Sequence, residues 1–176
     1  MAITIQNVDR EKLLEAILYI ASRVYAPTFH KISKMFWYAD KLHLERYGFI
    51  VSEDTYHAMK NGPVPSHIYN MMKYAAGKED IPASDKFRAV RTSMSIKNDG
   101  WTVVPMREPN MDFLSESEIE CFEDAMREHG HKSFSQLSDE THDSAWKSVD
   151  RNAPIPFSEI VKTLPNAIEI ENLLCA

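Results

Sequence analysis

The chain has 176 residues, of which 44% are hydrophobic and 26% charged, and a formal net charge of −6. That is enough apolar material for the core of one soluble domain, while the acid excess speaks against general nucleic-acid affinity, which needs clustered Lys and Arg. No apolar run approaches the ~20 residues that span a bilayer, the first residues lack the order of a signal peptide, and Cys121 and Cys175 read as free thiols, so a cytoplasmic location is expected.

Asp9 is placed to cap a first helix in which Leu13, Ile17, Ile20 and Val24 mark one face and Leu14, Leu18 and Ala21 widen it. Pro27 ends it, Thr28 caps the next, and the short connection predicts antiparallel neighbours. In that second helix, which stops at Gly48, Ile32, Met35, Phe36, Ala39 and Leu42 recur at the spacing of one buried stripe. Asp40, His43 and Tyr47 follow the stripe's edge inward, where each needs a partner, because an unpaired buried polar group costs about 1–3 kcal/mol. Gly62-Pro63-Val64-Pro65 reads as a stiff, extended corner, since each proline fixes its φ and donates no hydrogen bond. Ser66 then stands as the N-cap of a third helix carrying Ile68, Met71, Met72 and Ala75. Asp40, His43 and the prolines are expected to form one network that holds the corner against the second helix.

Gly77 and Pro82 break the pattern. From Phe87 to Met106, the β-branched Val90, Thr92, Ile96, Thr102, Val103 and Val104 predict two strands, with Asn98-Asp99-Gly100 as their turn and Pro105 at an edge. Ser115 and Glu118 form a capping box ahead of Ile119, Phe122, Ala125 and Met126, predicting a helix from Glu116 to Glu128 that ends at Gly130. The acids from Glu108 to Glu128 read as a solvated helix face in preference to an acidic docking surface. A short helix from Ser133 to Thr141 follows, then Trp146 as an anchor, an extended piece at Pro154 and Pro156, and a helix from Ser158 to Leu164. The fold class expected is α+β, a mainly helical single domain over residues 1–150 with a small antiparallel sheet or hairpin. Residues 151–176 are a C-terminal extension packed on or following it.

Asp40 and His43 are a carboxylate–histidine pair of the kind that tunes acid/base chemistry, yet no nucleophile is tied to them by spacing, so a structural role is preferred to a hydrolase. Cys121, His129 and His131 match no zinc spacing. A phosphate loop and a nucleophile elbow are missing too, so no catalytic residue, metal or cofactor is expected. Tyr56, Tyr69 and Tyr74, with Met59, Met71 and Met72, suit either a core or a partner surface, and Tyr56 and Tyr69 are the members expected to be exposed. Lys86, Arg88, Arg91 and Lys97 read as a solvated strand face rather than the wing of a DNA-binding domain.

The ordered residues Tyr38-Ala39-Asp40-Lys41, His43, Tyr47-Gly48, Tyr56, Ala58-Met59, Gly62-Pro63-Val64-Pro65 and Ile68-Tyr69 closely resemble the core of the Panacea domain of SocA-like and GepA-like antitoxins. Leu137-Ser138 with Thr141-His142 is similar to a second, weaker signature of that family. The resemblance implies a bacterial or phage-associated antitoxin, not an enzyme, that neutralises a cognate protein toxin by direct binding. Under it, Tyr56, Lys60, Tyr69 and Tyr74 would be the partner-binding residues, and Asp40, His43, Tyr47, Gly62, Pro63 and Pro65 the structural motif. The alternative it implies is an adaptor that delivers a toxin to the ClpXP protease through the acidic helix or the C-terminal tail. Neither a homodimer nor the toxin's identity follows from these residues.

Overall fold

A computed structural model describes residues 8–78 and 85–176, and the break expected at Pro82 lies outside them. Helix α1 (Arg10–Ala21) starts where the Asp9 carboxylate accepts from the Lys12 amide, and α2 (Phe29–Tyr47) where the Thr28 hydroxyl accepts from the Lys31 amide. Gly48, at a φ of +84°, takes the left-handed turn that ends α2. Periodicity predicts one buried stripe on this helix, but α2 is packed from several sides. Phe29, Ile32, Met35, Phe36 and Ala39 join the larger core, Trp37 and Leu44 a second one, and Ser33, Lys34, Asp40 and His43 are buried with them. An apolar-spacing rule cannot see polar residues that are buried because a distant segment satisfies them.

Strands β1 (Tyr56–Met59) and β2 (Gly62–Pro65) form an antiparallel hairpin, so the expected connector is itself a strand. Its prolines fit because of register. Pro63 lies opposite Ala58 and Pro65 opposite Tyr56, and both β1 residues turn backbone groups the other way: Ala58 bonds Ala153 O at 2.9 Å and Asn152 N at 2.8 Å, and Tyr56 O accepts from Ile155 N at 2.7 Å. The missing proline N–H groups therefore cost the hairpin nothing. The buried Pro63 carbonyl accepts from Lys34 Nζ at 2.9 Å. At the bend, Gly62 has a φ of +108°, and a Cβ there would lie 2.5 Å from Thr141 Oγ1 and 2.7 Å from Lys34 Nζ. Gly62→Ala is expected to cost about 2–4 kcal/mol, because backbone strain of about 1–3 kcal/mol adds to the displacement of both groups. Urea denaturation checks this; a loss below about 1 kcal/mol would mean that the hairpin shifts freely.

Helix α3 (Ser66–Ala75) packs against α1, α2 and α4 (Asp85–Ser93), and the chain then enters the hairpin β3 (Met94–Ile96) and β4 (Val103–Pro105). The strand expected at Val90 and Thr92 is thus helix; only residues from Met94 onward pair as strands. Lys86, Arg88 and Arg91 accordingly lie in a helix, not along a strand face. Asp99 closes the turn: its carboxylate accepts from the Trp101 and Thr102 amides and from the Thr102 hydroxyl, at 2.7, 2.9 and 2.5 Å.

The capping box of Ser115 and Glu118 opens α5 (Glu116–His129), and Ser133 with Gln136 opens α6 (Phe134–Thr141) in the same way. Much of the acidic face of α5 is paired: Glu118 with Lys12, Glu120 and Asp124 with Arg46, and Glu123 with Arg23 and the Tyr19 hydroxyl. Short helices α7 (Ser144–Lys147) and α8 (Phe157–Val161) and the unanticipated α9 (Ala167–Cys175) complete the second core, where Ile155, Ile160, Val161, Leu164 and Ile170 meet Trp37, Leu44 and Tyr56. Among the described residues no helix is long and apolar enough to cross a membrane.

Candidate functional site

The polar residues of α2 reach separate partners. Asp40 is 1% exposed and fully hydrogen-bonded: Oδ1 accepts from the Ser52 amide at 2.9 Å, and Oδ2 from the Ser52 hydroxyl at 2.5 Å and the Tyr56 hydroxyl at 2.7 Å. Burial pushes its pKa up to about 6 against the pull of those donors, and burial with the Asp40 charge holds the Tyr56 phenol protonated well above its ordinary range. His43 donates from Nδ1 to Phe49 O at 2.8 Å and accepts at Nε2 from the Ser117 hydroxyl at 3.0 Å, and burial lowers its pKa. Asp40 thus ties α2 both to the loop after it and, through Tyr56, to the strand paired with the prolines, whereas His43 ties α2 to that loop and to α5 and does not reach the corner. Tyr47, expected to turn inward, is 43% exposed and donates to Glu120 at 3.0 Å.

The corner is held by two residues that periodicity passes over. Lys34 holds β2 through the Pro63 carbonyl. Asp54, whose side chain is fully buried, caps α3 from outside: it accepts from the His67 amide at 3.1 Å, the Ile68 amide at 3.0 Å, the Ser66 hydroxyl at 3.1 Å and His67 Nδ1 at 2.9 Å. Ser66, expected as the cap, is instead the first residue of the helix and a donor to the true cap.

Beside the hairpin bend a groove of about 470 Å³ opens between these elements. Its α2 wall is Phe29, His30, Ser33 and Lys34; Met59, Lys60 and Asn61 come from the bend, Tyr69 from α3, Trp101 from the turn after Asp99, and Phe134 from the start of α6. The aromatic rings brace one another. Phe29 meets Tyr69 and Trp101 edge-on at 6.0 and 5.5 Å, and Phe134 stacks on His30 at 3.9 Å. Trp101 and Phe134 remain 48% and 53% exposed. Lys78 Nζ lies 3.3 Å from the centre of the Trp101 ring. At the floor, burial pushes the Lys34 pKa down to about 7; burial and then the nearby Lys34 charge push His30 down to about 4, leaving it a neutral ring beside the Ser138 hydroxyl.

Of the residues expected to face a partner, Lys60 and Tyr69 line this groove. Tyr56, expected to be exposed, is 1% exposed beneath the hairpin, and Tyr74 is 5% exposed with the Arg91 guanidinium over its ring at 4.0 Å. Gly62 and Pro63 meet Lys34, and Pro65 leads into α3. The groove also contains Phe29, His30, Lys34, Trp101 and Phe134, which sequence reasoning did not single out as site residues. The available signal was modest: two large aromatics next to turn or cap residues, Trp101 after Gly100 and Phe134 after Ser133. Among the described residues no group of three or more His, Cys, Asp or Glu side chains could hold a metal ion.

Residues 32–147, more than half of the chain, match the family described as antitoxin SocA-like, Panacea domain. No curated protein and no solved structure matches.

Proposed function

Because the chain belongs to the SocA-like antitoxin family through its Panacea domain, we propose that it neutralises a cognate protein toxin by direct binding, without catalysis, and that the groove face meets the toxin. The observation that carries the placement is the groove itself. Lys60 and Tyr69 stand there beside exposed Trp101 and Phe134, on walls fixed by the Asp54 cap and the Lys34 bond. Exposed aromatics are the side chains that dominate binding energy, and a rigid surface loses little ordering entropy when it docks. Asp40 contributes by holding Tyr56 of β1, a strand of the hairpin whose bend forms part of this face.

The test is growth rescue and co-purification with the product of the immediately neighbouring gene. Tyr69→Ala and Lys60→Glu are each expected to weaken the complex about ten- to a hundred-fold, the scale of roughly 1–3 kcal/mol for interface positions, with the fold retained by circular dichroism. Full rescue by both folded variants would move the site elsewhere.

A second reading, the ClpXP adaptor, rests on α9, where Ile168, Leu173 and Leu174 are 76%, 59% and 39% exposed. Deleting residues 152–176 would not test it, because Ile155, Ile160, Val161 and Leu164 belong to the second core. Leu173→Asp with Leu174→Asp is the suitable change. Toxin turnover lost with toxin binding kept supports the adaptor; unchanged turnover excludes this contact.

A further inference from the structure

The chain carries a net charge of −6, yet no Asp or Glu lines the groove, which holds Lys34, Lys60 and His30. Lys34 stands apart among these. It is fully buried and, among the described residues, makes one hydrogen bond, to the Pro63 carbonyl, although an ammonium has three donors. Burial is what lowers its pKa, and among the described residues no carboxylate pairs with it. The titratable groups that line the groove with it are His30 on its own helix, Lys60 from the hairpin bend and Tyr69 from α3, while the Thr141 hydroxyl of α6 meets it beside Gly62. A buried cation left without a counter-charge is costly, and a partner's anion removes that cost when it docks.

We propose that the groove is a socket for a carboxylate: the toxin, seated on this face as proposed above, inserts an aspartate or glutamate carried on an apolar or aromatic segment. The carboxylate lies beside Lys60 and His30 over the buried Lys34, whose charge acts on it through the groove wall, and its neighbours pack on Phe29, Trp101 and Phe134. Charge complementarity selects this occupant. The lining offers two ammonium groups and no arginine, and none of the chain's glycine residues lines it to build a phosphate loop, so it suits a single carboxylate better than a phosphate. The apolar walls come from several separate elements, as a peptide segment requires.

The test needs no toxin. The full chain, labelled at lysine Cε, is titrated by NMR with N-acetyl-Trp-Glu-amide, with its neutral counterpart N-acetyl-Trp-Gln-amide, and with AMP. The Lys34 resonance is identified by its loss in Lys34→Met or, should that variant not fold, in Lys34→Arg. Free, it titrates near 7; with the glutamyl peptide its midpoint is expected to rise by about one pH unit, a ten-fold preference for the charged lysine, and with the glutaminyl peptide it stays in place. Equal movement with both peptides, or movement with neither, overturns the socket. Movement with AMP but not with the glutamyl peptide assigns the groove to nucleotides and overturns the peptide reading. Because toxin is absent, a failure here leaves docking on this face to the Tyr69 and Lys60 rescue test. A raised midpoint with full rescue by both of those variants would detach the socket from the toxin.

Discussion

Asp54→Ala is expected to lower the unfolding free energy by about 3–5 kcal/mol, more than the about 0.5–2 kcal/mol that removal of an ordinary helix cap costs. The excess follows from what the carboxylate holds. It satisfies the first amides of α3 at His67 and Ile68, takes the Ser66 hydroxyl and the His67 ring, and accepts from the Thr55 amide at 2.7 Å. Hydrogen bonds to a charged group contribute about 1.5–3 kcal/mol each, and a buried donor left without an acceptor costs about 1–3 kcal/mol. The chain supplies no substitute cap locally, since Pro65, at the cap position, has no side-chain acceptor. Guanidinium denaturation measures the loss, and amide hydrogen exchange should show α3 opening first. Asp54→Asn, which keeps one acceptor oxygen, should recover part of it. A loss below about 1 kcal/mol for Asp54→Ala would mean that α3 is held by packing alone. Tyr69 rides on this helix, so the substitution also loosens one wall of the groove.

The contrast between Asp54 and the other caps explains what could be foreseen from residue order. Asp9, Thr28 and Ser115 each cap an amide three residues ahead, a distance that a sequence pattern contains. Asp54 acts across an intervening hairpin, on amides 13 and 14 residues away. The β-branched Val90 and Thr92 mislead for a related reason. Strand preference reflects packing on a pleated surface as much as backbone preference, and here Val90 instead buries its side chain from a helix that packs on α3. The groove is harder still, because its residues come from five stretches between Thr28 and Phe134. Lys60 and Tyr69 are visible beside the proline motif. Lys34 reads as an ordinary helix lysine until β2 is placed against it.

Lys34→Met is the substitution expected to make the protein more stable, by about 2–4 kcal/mol near pH 7. The folded chain lowers the pKa of Lys34 from 10.5 to about 7 through burial alone. A lowered lysine pKa means that, between about 7 and 10.5, the unfolded chain binds the proton and the folded chain does not, so wild-type stability rises with pH across that window. Below it both states are protonated and the full penalty of the buried charge is present. At about 1.4 kcal/mol per pH unit this penalty is roughly 4 kcal/mol at pH 7. Methionine fills a similar volume without the charge, and the bond to the Pro63 carbonyl, worth about 1 kcal/mol, is lost in exchange. The advantage of Lys34→Met over wild type should therefore shrink steadily as the pH is raised toward 10. Comparing the two chains at each pH cancels the contribution of the titrating groups that do not sense Lys34; His30, which does, is lowered to about 4 and titrates below this window. A variant that is less stable than wild type at pH 7, or a difference that does not change with pH, would show that Lys34 is a structural strut whose charge the fold already accommodates. A variant that is more stable yet fails to neutralise the toxin would identify Lys34 as a residue kept for binding at the expense of the fold.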